Sequence, residues 1–194
     1  GTVAVSLTLL TGTGLSLAVA GAASTFTVLA RDSFGNAATF DPFETSEPFS
    51  LKLVSDTDSS ETPVELNLSP ESVSATYSLT VSGSYMLHID FAEGGTLFNY
   101  PRAVKAIAAS LDPSSCLMTM LHPFGGSSGL ATAGDIVRFR VEARDRYSNV
   151  ITVGGVPLTT YIGNGDVVDM SDEGTGTYSY NSPVSSAGQL AVGI

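Results

Sequence analysis

Apolar and polar side chains alternate along much of this chain. In Phe26-Thr27-Val28-Leu29-Ala30, the residues Phe26, Val28 and Ala30 occupy every second position, which is the period of a strand with one face in a core. At 113 positions further on (26 to 139), Phe139, Val141 and Ala143 repeat that spacing. The two runs also end alike, in Ala30-Arg31-Asp32-Ser33-Phe34-Gly35-Asn36 and in Ala143-Arg144-Asp145-Arg146-Tyr147-Ser148-Asn149. Asp followed by Gly-Asn or Ser-Asn is turn chemistry, so each run is expected to be a strand entering a tight turn.

A second echo follows in the same order. Ala75 to Leu79 and Gly83 to Ile89 are answered by Gly176 to Tyr180 and Gly188 to Ile194. Tyr77 and Leu79, then Tyr85, Leu87 and Ile89, alternate with their neighbours, which predicts a pair of strands in each copy. Further strands are expected at Phe49 to Val54, Val64 to Leu68, Leu158 to Ile162 and Val167 to Met170, punctuated by Gly, Pro, Ser and Asp. No 3.6-residue apolar period runs long enough for a substantial helix. The pattern predicts an all-β chain of two sandwiches, residues 1–109 and 110–194, with Phe26 and Tyr77 in one core and Phe139 and Tyr178 in the other.

Composition agrees with packed cores: 43% of the 194 residues are hydrophobic and 14% charged, enough apolar material to fold. The longest apolar stretches, such as Leu15 to Val19 and Val104 to Ala109, fall far short of the roughly 20 residues of a helical membrane span, so no direct membrane insertion is expected. A net charge of −11 repels phosphate backbones and argues against nucleic acid as a partner. Cys116 is the single cysteine, which leaves stability to core packing and suits a reducing compartment.

These motifs resemble the filamin-type immunoglobulin-like repeats of the E-set class, over nearly the whole chain. The residues that carry the resemblance are the doubled Phe-x-Val-x-Ala-Arg-Asp strand, the run Asp172-Glu173-Gly174-Thr175-Gly176-Thr177-Tyr178, and the start Leu111-Asp112-Pro113-Ser114-Ser115-Cys116 followed by Ala133-Gly134-Asp135. The first repeat departs from the pattern at Pro70 to Ala75 and in its final strand, Tyr100 to Ile107. The second stops at Ile194, before the last strand a seven-stranded sandwich needs. That missing strand is expected from a continuing chain or from a partner.

The resemblance implies binding by strand addition along the third and fourth strands of each repeat. In this sequence the candidate edge positions are Phe49, Leu51, Leu53, Val64, Leu66 and Leu68 in the first repeat, and Leu158, Thr160, Ile162 and Val167 in the second. Pro48 and Pro157 stand at or beside strand starts, as suits an edge. The expected partners are other proteins, as extended peptides or neighbouring domains.

No catalytic, cofactor or metal site is expected. His88 and His122 are the only histidines, one on an alternating strand and facing outward, one in a loop, so neither a triad nor a multi-histidine metal site assembles. Asp56, Asp58 and Glu61, and likewise Asp166, Asp169, Asp172 and Glu173, read as solvated turn residues rather than a calcium loop. The Arg31-Asp32 and Arg144-Asp145 pairs read as a local salt link or a turn-stabilising Asp. Gly125-Gly126 and Gly154-Gly155 have no following Lys-Ser/Thr to cradle phosphate. Cys116 lacks basic neighbours and reads as an inert thiol; Asn67-Leu68-Ser69 is a glycosylation sequon followed by Pro70.

The favoured function is a non-enzymatic scaffold segment in a cytoskeletal or motile, including ciliary, assembly. The alternative is an ectodomain segment of a cell-surface adhesion protein of the gamete type. An occupied Asn67 favours the second, a thiol-reactive Cys116 the first.

Overall fold

The computed structural model describes residues 7–38, 49–69, 72–91, 101–121, 130–131, 133–162, 166–183, 188–189 and 192–193, with the backbone alone at 49, 91, 130, 131, 166, 188, 189, 192 and 193. Pro48, Pro70, His122 and the Gly125-Gly126 pair lie outside these residues. The chain divides into two compact units, Gly1–Ile107 and Ala108–Ile194.

Unit 1 contains β1 (Leu9–Thr11), β2 (Leu17–Val19), β3 (Ala23–Leu29), β4 (Phe49–Ser55), β5 (Glu61–Pro63), β6 (Glu65–Leu68), β7 (Ser72–Ser78), β8 (Gly83–Phe91) and β9 (Arg102–Ile107). They form a four-stranded sheet in the order β1-β3-β7-β6 and a five-stranded sheet in the order β2-β9-β8-β4-β5. The alternation read from the sequence is what joins the two sheets. Phe26, Val28, Val73 and Tyr77 from the first and Leu53, Leu87, Ile89 and Val104 from the second belong to one buried cluster. Each fully buried side chain of this size contributes about 1.5–3 kcal/mol. Antiparallel register aligns Phe26 with Ala75 and Leu53 with Leu87, while β2 runs parallel to β9, Leu17 opposite Lys105.

β1 and β2 lie in different sheets, and the chain switches between them through a 3-10 turn at Thr13–Leu15. Two glycines make the switch possible. A Cβ on Gly12 (φ 127°) would sit 2.7 Å from the Phe26 Cα, and one on Gly14 would sit 2.7 Å from the Thr25 carbonyl oxygen. Tyr85, near the start of β8, donates its hydroxyl to the Val81 carbonyl at 2.9 Å; a tyrosine tied back a few residues upstream at this corner is a hallmark of immunoglobulin sandwiches. Tyr85→Phe removes that bond and is expected to lower the stability of unit 1 by about 1 kcal/mol in a denaturant titration. An unchanged midpoint would show that the hydroxyl is equally well served by water.

Unit 2 contains β10 (Leu117–Met120), β11 (Leu130–Ala131), β12 (Ile136–Glu142), β13 (Thr159–Ile162), β14 (Asp166–Asp169), β15 (Ser171–Asp172), β16 (Thr177–Pro183), β17 (Gly188–Gln189) and β18 (Val192–Gly193). One sheet has the order β10-β12-β16-β15, a second β14-β13-β18, and β11 pairs with β17. Val137, Phe139, Val141, Leu158, Met170 and Tyr178 form the core cluster, and the Phe139 ring stacks on Tyr180 with centroids 5.2 Å apart. In unit 1, β9 stands between β2 and β8; among the described residues of unit 2, β11 pairs directly with β17, with Leu130 opposite Gln189.

Helix among the described residues is confined to 3-10 turns. The second of these, Pro113–Ser115, is capped by Asp112, whose carboxylate accepts from the Ser114 N–H at 3.1 Å and from the Ser114 and Ser115 hydroxyls.

The third and fourth strands differ from the sequence expectation. β4 is an interior strand, flanked by β8 along its length and by β5 at Lys52 to Val54. The segment expected as one strand from Val64 to Leu68 begins at Glu65 and lies in the opposite sheet, paired with β7. Pro63 closes β5, Val64 crosses between sheets and β6 opens on the other side, so the chain itself spans the open side of the sandwich. In unit 2, β14 starts at Asp166 and folds back directly on β13, Tyr161 opposite Val167, while Met170 drops into the core.

Candidate interaction edges and turns

Of the ten expected edge positions, Leu51 (8% exposed), Leu53 (0%), Leu158 (6%) and Thr160 (0%) face inward. In this structure these four side chains pack within their own unit. Val64, Leu66 and Leu68 are half-buried against the core of unit 1, and Ile162 against that of unit 2. The Phe49 side chain is outside the described set. Val167 alone of the ten is open to solvent among the described side chains, at 59% exposed. Its cross-strand neighbour Tyr161, 50% exposed, was not singled out in the sequence. It sits one residue out of phase with Leu158, Thr160 and Ile162, and alternation placed it outward once those three were inward.

The sheet edges among the described strands are β1, β6, β2 and β5 in unit 1, and β10, β15, β14, β18, β11 and β17 in unit 2. β14 couples an unpaired backbone edge to an exposed apolar pair on its outer face. β6 carries Asn67 outward and Leu66 and Leu68 inward. His88 lies on the outer face of the five-stranded sheet, half-buried and opposite Lys52.

The repeated Arg-Asp pairs resolve into turn-forming aspartates. Asp32 Oδ1 accepts from the N–H groups of Phe34 and Asn36, both at 2.9 Å. Asp145 Oδ1 accepts from those of Tyr147 (2.9 Å) and Asn149 (3.0 Å), and its Oδ2 from the Ala109 N–H and the Asn149 amide, both at 2.8 Å. Burial alone would raise the Asp145 pKa. The bonds from the Asn149 amide and from the Ala109, Asn149 and Tyr147 N–H groups outweigh it and hold the carboxyl below its ordinary value. Arg144 pairs with Glu142 at 2.6 Å and donates to the Ser148 carbonyl of the turn at 3.4 Å.

The acidic loops do similar work. Asp58 accepts from the Ser60 N–H and hydroxyl, and these bonds together with that of the Ser55 hydroxyl hold it at about 2. Asp172 accepts from the N–H groups of Gly155 and Gly174, and Glu173 pairs with Arg140 at 3.1 Å. Gly176 follows at φ 73°, where a Cβ would overlap the Ile151 carbonyl. These contacts explain why an Asp-x-Gly-x-Gly-Thr-Tyr run needs its spacing. Cys116 is half-buried and its thiol reaches the Asp112 carbonyl at 3.4 Å. Among the described residues no three His, Cys, Asp or Glu side chains gather into a metal-ligating set, and no helix is long and apolar enough to cross a membrane.

No protein-family model matches the chain, and no curated protein matches it. Among solved structures it is similar to FdeC, an adhesin of Escherichia coli, with a TM-score of 0.61 and 18% identity over 99% of this chain and 60% of that one. It is also similar to invasin, described as a bacterial integrin-binding protein, with a TM-score of 0.57 and 15% identity over 99% of this chain and 37% of that one. The filamin domain of Lin-41 aligns with 55% of this chain and 97% of its own, with a TM-score of 0.46 and 18% identity. The chain spans 60% and 37% of the two bacterial structures. At these identities the likeness shows the fold, immunoglobulin-like β-sandwich repeats.

Proposed function

We propose that this chain is a non-enzymatic protein-interaction segment of immunoglobulin-like repeats, and that partners add an extended peptide along a sheet edge. The observation that carries this reading is β14. It pairs on one side only among the described strands, and it presents Val167 beside Tyr161 on its outer face. An unpaired row of N–H and C=O groups is a template for another strand, and an aromatic beside a β-branched residue gives that strand an apolar neighbour. Asp166 and Asp169 close the two ends of β14; charge at an edge limits open-ended stacking. β6 in unit 1 is a second edge of this kind, with fewer exposed apolar groups.

Two settings suit such a segment. The likeness to FdeC, an adhesin, and to invasin, an integrin-binding protein, supports a cell-surface adhesion protein. The free thiol of Cys116 supports an intracellular scaffold. Intact mass of the protein from its native source separates them: a glycan on Asn67, which is exposed on β6, belongs to the first, and an unmodified Asn67 with a thiol-reactive Cys116 to the second.

The binding mode is tested by selecting 12-residue peptides against the 194-residue chain and mapping amide exchange with and without each binder. Binders are expected to slow exchange in β14 or β6, and Val167→Asp, at an exposed position, is expected to weaken the β14 class at least about tenfold, or about 1.4 kcal/mol. Protection confined to turns and sheet faces, with Val167→Asp inert, would remove strand addition as the mode.

A further inference from the structure

The two units build the same turn and finish it differently. Besides the carboxylate bonds already described, the N–H of Asp32 reaches the Asn36 carbonyl and that of Gly35 the Asp32 carbonyl, while the N–H of Asp145 reaches the Asn149 carbonyl and that of Ser148 the Asp145 carbonyl, all at 2.9–3.1 Å. Gly35 (φ 83°) and Ser148 (φ 67°) take the same left-handed position. Phe34 and Tyr147 are therefore equivalent residues on equivalent, fully bonded turns.

In unit 2 the residue before the aromatic is Arg146. Its guanidinium carbon stands 4.7 Å from the Tyr147 ring centroid and it donates to the Tyr147 hydroxyl, so the ring is covered and half-buried. In unit 1 that residue is Ser33, too short to reach across a ring. Phe34 is 88% exposed, the highest value among the large apolar side chains described. Neighbouring Arg31, which matches Arg144, leaves the ring open.

The carboxylates differ as well. Asp145 is fully buried and both its oxygens are occupied. Asp32 is half-buried, and among the described residues its Oδ2 accepts one bond, at 3.3 Å, from the Asn36 amide; an ionised carboxylate has about four acceptor sites. Unit 1 thus carries an uncovered π face two residues on from a carboxylate with spare lone pairs, on a backbone already pinned. That pair of features matches a guanidinium, which stacks on aromatic faces and forms directed bonds to carboxylates. Four Lys and Arg against eleven Asp and Glu in residues 1–107 give a net −7 that steers a cation toward this unit. A pinned turn also loses little conformational freedom on binding.

We infer that the Asp32–Phe34 turn of unit 1 is a docking point for an arginine side chain of a partner protein, which takes over Phe34 the place that Arg146 takes over Tyr147 within unit 2. This docking point is separate from the β14 edge and stands or falls independently of strand addition.

The test is a nuclear magnetic resonance titration of the isotope-labelled 194-residue chain with acetyl-Gly-Gly-Arg-Gly-Gly-amide, and with the same peptide carrying citrulline, the neutral isostere. The arginine peptide is expected to give saturable shifts of the Phe34 ring protons and the Phe34 and Gly35 amides, with binding at least about tenfold tighter than the citrulline peptide, or about 1.4 kcal/mol. Phe34→Ala is expected to abolish the shifts. Ser33→Arg, which installs the cation of unit 2 in unit 1, is expected to abolish them too. Both positions are exposed, and unchanged melting temperatures for the two variants will show that the fold is kept. Equal binding of the citrulline peptide, shifts that persist in Phe34→Ala, or wild-type binding by Ser33→Arg would overturn the inference. So would concentration-dependent self-association lost in Phe34→Ala, which would assign the ring to a contact between copies.

Discussion

Replacing Tyr77 by alanine is expected to lower the stability of unit 1 by about 4 kcal/mol, the range for losing a buried aromatic. Tyr77 is 3% exposed, belongs to the cluster that joins both sheets, and donates its hydroxyl to the Gly14 carbonyl across 63 residues of sequence. Removing the ring opens a cavity between β3, β7 and the switch at Thr13–Leu15, and it also frees the buried Gly14 carbonyl. Tyr77→Phe separates the two losses: it keeps the packing and forfeits the bond, at about 1–2 kcal/mol. Denaturant unfolding followed by a probe in each unit reads both, with the unit 2 transition as an internal reference. A Tyr77→Ala transition within 1 kcal/mol of the parent's would mean that the core of unit 1 lies elsewhere.

The second large effect comes from a carboxylate. Asp145→Ala removes the acceptor for the N–H groups of Ala109, Tyr147 and Asn149 and for the Asn149 amide, at a position that is fully buried. Buried donors left unsatisfied cost about 1–3 kcal/mol each before relaxation, and about 4 kcal/mol in total is expected for unit 2. Asp32→Ala, with the same local bonds on a half-buried group whose donors reach water, is expected to cost much less than Asp145→Ala.

The pH dependence has a definite sign. The folded pKa of Asp145 lies below its ordinary value of 3.8, so at pH values between the two the unfolded chain binds more protons. Its contribution is therefore complete above about pH 5 and is lost as pH falls below about 4. The stability difference between wild type and Asp145→Asn should shrink over that same interval. A difference that stays constant down to pH 2, or one that grows on acidification, would contradict the geometry of this turn.

Much of the fold was legible because its strongest signals are local. Period-two alternation placed Phe26, Val28, Phe139 and Val141 inside, and the Asp-Gly/Ser-Asn turns followed from side chains that bond their own backbone a few residues on. The edges were less legible for a specific reason. β5 has three residues and ends in Pro63, a residue that lowers any strand expectation; it is tolerated there because a sheet edge does not require its missing N–H. Without β5, the sequence pattern makes β4 an edge strand with β6 as its neighbour. Likewise, alternation gives Leu51, Leu53, Leu158 and Thr160 a common inward face, and the tertiary structure supplies the packing that this face meets.

The turn aromatics make the same point at the scale of one residue. Phe34 and Tyr147 occupy matching positions in matching motifs, yet one is bare and the other covered. The difference is set by Ser33 and Arg146, and it became meaningful once the ring and guanidinium were seen to stack.

The sequence by itself determined which side of each strand is apolar, where the tight turns fall and that the pattern occurs twice, because those properties depend on neighbours within a few positions. The tertiary structure alone decided which sheet each strand joins, which strands are left at an edge and which aspartate is buried. Alternation specifies a face and is silent about the partner across the ladder, and that partner is chosen by contacts between residues far apart in the chain.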